Sequence, residues 1–65
     1  LYDALGKLKR SYRDVIILRK IKDFSVTETS QILGWDEGKV RTTLSRALQA
    51  LRKQLEKEGY QHETL

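Results

Sequence analysis

Residues 24–57 read FSVTETSQILGWDEGKVRTTLSRALQALRKQLEK, and two breaks in this stretch decide the fold. Ser25 precedes a short helical pattern and Glu28 stands three positions on, the reciprocal spacing of a capping box. Phe24, just before the cap, can pack back on the helix. Inward residues would be Val26, Thr29, Ser30, Ile32 and Leu33, and Gly34 then stops the helix in the left-handed conformation that glycine adopts most easily. Asp36 is a good N-cap for the next helix, and its charge suits the positive end of the helix dipole. From Glu37 to about Lys57, apolar residues fall at Val40, Leu44, Ala47, Leu48, Leu51 and Leu55. At 100° per residue they share a sector of roughly 100°. Gly59 ends the pattern.

Upstream, Leu1, Leu5 and Leu8 have helical spacing and predict a first helix over about 1–8. Ser11 is the expected cap of a second helix, running to about Lys22 and carrying Tyr12, Val15, Ile16, Ile17, Leu18 and Ile21. The run Val15 to Leu18 resembles a buried strand in isolation. No second strand exists to pair with it, so helix is the better assignment. The fold class is therefore all-α: a four-helix domain without winged elements, over residues 1–58, with 59–65 as a flexible tail. The expected core is Leu5, Leu8, Val15, Ile16, Leu18, Val26, Leu33, Trp35, Val40, Leu44 and Leu48.

Sixty-five residues without cysteine, and with one histidine, His62, exclude a disulfide framework and a thiolate metal site. No pair of side chains resembles a nucleophile beside its base, so neither enzymatic activity nor a cofactor is expected. The longest apolar run, Val15 to Leu18, is far short of the roughly 20 residues that span a bilayer. No signal-peptide pattern is present, and a cytoplasmic location is expected. A start at Leu1 without methionine reads as a fragment of something longer.

Thirteen basic and nine acidic residues give a net charge of +4. Their placement says more than the total. Between Gly38 and Leu55 there is no acidic residue, while Lys39, Arg41, Arg46, Arg52 and Lys53 are basic. An ordinary solvated helix face mixes its signs, whereas a one-signed basic face is the electrostatic footprint of nucleic-acid binding. Two helices joined across Gly34-Trp35-Asp36 form a helix-turn-helix unit. Its second helix would enter the major groove with its N-terminal half against base edges. The residues opposite the apolar stripe suit that role. Arginine pairs bidentately with guanine, glutamine with adenine, and threonine offers a methyl to thymine. Base reading is thus assigned to Arg41, Thr42, Ser45, Arg46 and Gln49. Phosphate contact is assigned to Ser25, Thr27, Gly38, Lys39, Arg52 and Lys53, with the helix N-termini near Ser25 and Gly38 as backbone clamps. Gly38 has two readings, close approach to a phosphate or plain tolerance of glycine in a first turn. Trp35 fits a plug between the helices better than a stacking platform.

The stretches Tyr12 to Leu18, Phe24 to Ser30 and Leu33 to Ala47 resemble region 4 of a bacterial sigma factor, above all the extracytoplasmic-function (ECF) group. The run Glu37-Gly38-Lys39-Val40-Arg41-Thr42-Thr43-Leu44-Ser45-Arg46-Ala47, followed by Ala50-Leu51-Arg52, is the most specific part. The resemblance covers roughly residues 1–56. It implies a four-helix domain that binds the double-stranded promoter −35 element while attached to the RNA polymerase core through the β flap. The chain departs from the family at Leu8-Lys9, where Leu-Pro is usual, at Thr29-Ser30 in place of an isoleucine-alanine pair, and at Ser45 in place of a basic or aromatic residue. Region 2, which melts the −10 element, is absent, so the chain reads as half of a two-domain factor.

The second predicted helix carries more apolar surface than one side can hide, so Ile17 and Ile21 are expected to stay partly exposed as a docking patch. Arg13, Arg19 and Lys20 would form its rim. The resemblance names the polymerase β flap as occupant and an anti-sigma factor as competitor, with the chain itself a monomer. Two rival readings are the DNA-binding domain of a response-regulator type activator and a module that binds only protein. The former normally ends its recognition helix earlier than Leu51 and Leu55 suggest here.

Overall fold

The computed structural model describes residues 2–59. The sequence-based reading of 59–65 as a tail falls, beyond Gly59, outside the described residues, as does His62. Helix α1 spans Tyr2–Gly6. Helix α2 spans Arg10–Ile16 and runs on through a π-helical turn, Ile17–Ile21. Helix α3 spans Val26–Leu33 and α4 spans Glu37–Lys57. Helices α1, α2 and α3 all pack on α4. The longest dimension, 35 Å, is close to the length of α4 at about 1.5 Å per residue.

The stop and start signals in the decisive stretch act as expected. Ser25 Oγ accepts from the Glu28 N–H at 3.0 Å and Glu28 Oε1 accepts from the Ser25 N–H at 2.9 Å, closing the capping box. Gly34 adopts φ +72°, and the Trp35 N–H donates to the Ser30 carbonyl at 3.0 Å. That is the six-residue bond of a Schellman stop. Asp36 Oδ1 accepts from the Lys39 N–H at 2.7 Å and starts α4.

The core centres on Leu5, Val15, Ile16, Val40 and Ala47, with Leu8, Tyr12, Val26, Leu33, Trp35, Leu44, Leu48 and Leu51 packed against it, half-buried. Ala4 and Leu55 are buried as well. Leu18, expected in the core, lies in the π turn, half-buried and not among the residues packed against the core cluster.

Three further expectations need correction. Ser11 does not cap α2. Lys9 holds the N-cap position in extended backbone, without a side-chain cap. Leu8 packs on the core, so the chain turns into helix directly after it. Ile32 is 54% exposed rather than inward. At 100° per residue it lies about 110° from the centre of the stripe formed by Val26, Thr29, Ser30 and Leu33. Arg19 is not a rim residue: its guanidinium donates to the Phe24 carbonyl and is part-buried. It braces the exit from the π turn. There the Lys22 N–H donates to the Ile17 carbonyl at 2.8 Å and the Phe24 N–H to the Leu18 carbonyl at 2.9 Å. Asp23 takes a left-handed φ of +62°, a conformation that aspartate tolerates better than most residues.

A clasp joins the two ends of the described chain. Lys7 Nζ donates to Glu58 Oε2 at 2.9 Å, and the same oxygen accepts from Gln54 Nε2 at 3.1 Å. The hydrogen bond to Glu58 raises the Lys7 ammonium above its ordinary 10.5. The bonds from Lys7 and then Gln54 lower the Glu58 carboxyl below its ordinary 4.5.

Two outcomes follow from these contacts. A depressed carboxylate contributes stability above its unfolded pKa and loses it as pH falls through the folded value. A raised ammonium loses its contribution as pH rises through its own folded value. The gap in Tm between the parent and Glu58→Gln, present at neutral pH, should therefore close on acidification below 4.5 and again on titration above 10.5. Equal gaps at every pH would leave the clasp without energetic weight. Thr29, sealed from solvent, has a hydroxyl without a hydrogen-bond partner. An orphaned buried hydroxyl costs about 1–3 kcal/mol. Thr29→Val should recover much of that, raising Tm in thermal melts by several degrees, and a lowered Tm would show that the hydroxyl is satisfied.

Candidate nucleic-acid interface

The phase of α4 sets its outer surface. With Val40, Ala47 and Leu55 buried, Arg41, Thr42, Ser45, Arg46, Gln49, Arg52 and Lys53 are all exposed. These are the residues opposite the apolar stripe, so the structure brings together on one side the five candidate base-reading residues and two of the candidate phosphate contacts. Thr43, Leu44, Ala50 and Leu51 flank them, half-buried. The side chains of the exposed face are cations or uncharged hydrogen-bonding groups.

At the N-terminal end the candidates are already engaged. Both the hydroxyl and the N–H of Ser25 are taken up by Glu28. The Thr27 hydroxyl donates to Glu37 Oε2 at 2.7 Å. Lys39 Nζ lies 4.6 Å from the centre of the Trp35 ring, a cation–π distance. Trp35 therefore packs against the core and carries a cation on its ring at the same time. At Gly38 a Cβ would stand 3.3 Å from Asp36 Oδ1, the capping oxygen. The glycine keeps the cap uncrowded, a reason that neither sequence-based reading of Gly38 included.

Glu37 is the residue that sequence reasoning missed. Its Oε1 lies 3.4 Å from Arg41 Nη2 while its Oε2 accepts from Thr27. The i,i+4 spacing of Glu37 and Arg41 was a readable signal. The bond from Thr27, ten positions away on another helix, was not.

The second candidate surface lies on α2 and its π turn. Ile17 and Arg13 are half-buried, Lys20 is exposed and Ile21 is 40% exposed. Among the described residues no cluster of three potential metal ligands occurs, and no helix is long and apolar enough to cross a membrane.

A bundle of short helices packed on one long amphipathic helix, with a capped turn and a one-signed outer face, defines a helix-turn-helix domain. Comparison with known proteins takes this further. Residues 1–51 match the family described as Sigma-70, region 4. Over 57 residues the chain is 44% identical to RNA polymerase sigma factor YlaC of Bacillus subtilis (strain 168), covering 88% of this chain and 33% of that protein. It is 45% identical over 56 residues to ECF RNA polymerase sigma factor SigX of the same organism, covering 86% and 29%. It is 43% identical over 56 residues to an RNA polymerase sigma-E factor of Streptomyces antibioticus, covering 86% and 31%. The chain spans about a third of the length of these relatives. It belongs to the Sigma-70 region 4 family, with ECF sigma factors among its relatives.

Proposed function

We propose that this domain recognises the −35 element of bacterial promoters while docked on the RNA polymerase core, and so directs transcription initiation. The observation that carries the proposal is the outer face of α4, exposed along its length and free of acidic residues from Gly38 to Leu55. Region 4 family membership and relatives named as RNA polymerase sigma factors support it. The role is one of binding, not catalysis, in the cytoplasm. It is carried by residues 1–58 without a cofactor.

In this reading α4 enters the major groove, which admits one helix. Arg41, Thr42, Ser45, Arg46 and Gln49 face base edges. Arg52 and Lys53, further along, reach phosphates, and the N-terminal turns of α3 and α4 approach the backbone through Ser25, Thr27, Gly38 and Lys39, Thr27 by its backbone N–H while its hydroxyl stays on Glu37. For Lys39 this means leaving the Trp35 ring. A phosphate is the stronger partner, since an exposed cation–π contact is worth only about 0.5–1 kcal/mol. The apolar patch at Ile17 and Ile21, with Arg13 and Lys20 beside it, takes the polymerase β flap, and an anti-sigma factor competes for it.

Alanine at Arg41 or Arg46 should cost about 1–3 kcal/mol of binding to a cognate −35 duplex and far less on scrambled DNA. A loss equal on both duplexes would reassign that arginine to phosphate contact. Lys53→Ala should weaken both duplexes alike and reduce the log-log salt slope by roughly 0.9; an unchanged slope removes Lys53 from the interface. Ile21→Glu should lower affinity for the polymerase core about fivefold or more, the loss expected at an interface anchor, with DNA affinity and Tm retained. Intact polymerase binding by that variant defeats the docking assignment.

A further inference from the structure

We propose that Glu37 is a positioning residue for Arg41, and that Thr27 braces it: the carboxylate holds the guanidinium at one place on the outer face of α4 and so sharpens which base Arg41 accepts. This rests on the reading of Arg41 as a base-reading residue.

A carboxylate in the first turn of a helix facing nucleic acid has a plain explanation, since an acid there suits the helix dipole. It also carries a penalty, because it repels phosphates. The geometry adds what the dipole does not require. Both carboxylate oxygens are engaged, each by a different helix: Oε2 by the Thr27 hydroxyl of α3 at 2.7 Å, and Oε1 by Arg41 Nη2 of α4 at 3.4 Å. Arg41 is 64% exposed and Glu37 43%. At such exposure a free i,i+4 pair orders little, since each long side chain loses rotamer freedom when it is held. The bond from Thr27 changes that balance by fixing the Glu37 side chain before Arg41 arrives. The pair also leaves Arg41 able to read. A guanidinium has five N–H donors, and a bidentate contact to guanine uses two of them. A site held to within a fraction of an ångström by supporting contacts discriminates better than a free side chain. Glu37 thus gives up some general affinity for DNA in exchange for selectivity at one base position.

The test is a bind-and-sequence selection with this chain on a duplex library randomised across the groove it reads. Wild type, Arg41→Ala, Glu37→Ala and Thr27→Val are compared. Arg41→Ala should flatten the preference at its own base position by roughly 5- to 150-fold. Glu37→Ala and Thr27→Val should flatten that same position by about two- to fivefold, the range of an exposed charge pair, and leave the other positions sharp. Thr27→Val carries the decision because it changes no charge. If Glu37→Ala merely raises affinity for all duplexes alike, and Thr27→Val selects as wild type does, Glu37 is only a helix-terminal anion and the proposal falls. If Arg41→Ala itself retains every preference, the base-reading assignment falls and the positioning role falls with it.

Discussion

Val40 and Ala47, both sealed from solvent, hold α4 in one rotational phase against the rest of the bundle. Turning the helix by one residue, roughly 100°, would bury Arg41 and expose leucine. An unpaired guanidinium in an apolar interior is among the most costly groups a fold can enclose. The phase is therefore set by burial and defended by charge. The outer face inherits its composition from whatever the stripe does not use. That the remainder between Gly38 and Leu55 is cationic or neutral, residue after residue, is what gives the helix a direction in which to act.

Most of this was readable in advance because it depends on local rules. The Ser25–Glu28 box, the Gly34 stop and the Asp36 cap are short-range signals, and all three operate in the structure. The stripe of α4 is long enough for its period to be unambiguous, and the exposed face follows directly. The misses share a cause. Ser11 fits the preferences of a cap, yet the position of Leu8 on the core decides where α2 begins. Ile32 fits a helical period loosely, and eight residues are too few to show where the stripe is centred. The π turn after Ile16 has no counterpart in the local pattern, and it leads into an exit where Asp23 is left-handed and Arg19 reaches the Phe24 carbonyl. Tertiary placement overrode local preference in each case.

The candidate site divides in the same way. The identities along α4 were legible since helix periodicity alone sorts them. The engagement of its N-terminal end was not. Thr27 and Glu37 come together only because the turn crosses α3 over the start of α4, and Lys39 reaches Trp35 only because the indole plugs that turn. Where the helices meet, side chains proposed for DNA already have partners within the protein. On the proposed reading DNA would displace the ring contact of Lys39, leave the Thr27–Glu37 bond in place, and add contacts along Arg46, Gln49 and Lys53.

Helix α1 owes its order to its docking. Five residues cannot sustain a helix in water, because nucleation alone fixes several dihedrals for a single bond. Tyr2–Gly6 is helical on account of where Ala4 and Leu5 are seated, at 0% and 2% exposure, and of the clasp from Lys7 to Glu58. Once undocked, it has nothing to keep its shape. Docking of α1 and completion of the core are therefore one event, since Leu5 belongs to the same buried cluster as Val15, Ile16, Val40 and Ala47. Seated, α1 acts as a plug over the end of the core. Released, it uncovers apolar surface beside the far end of α4, more than fifty residues away in sequence and adjacent in space.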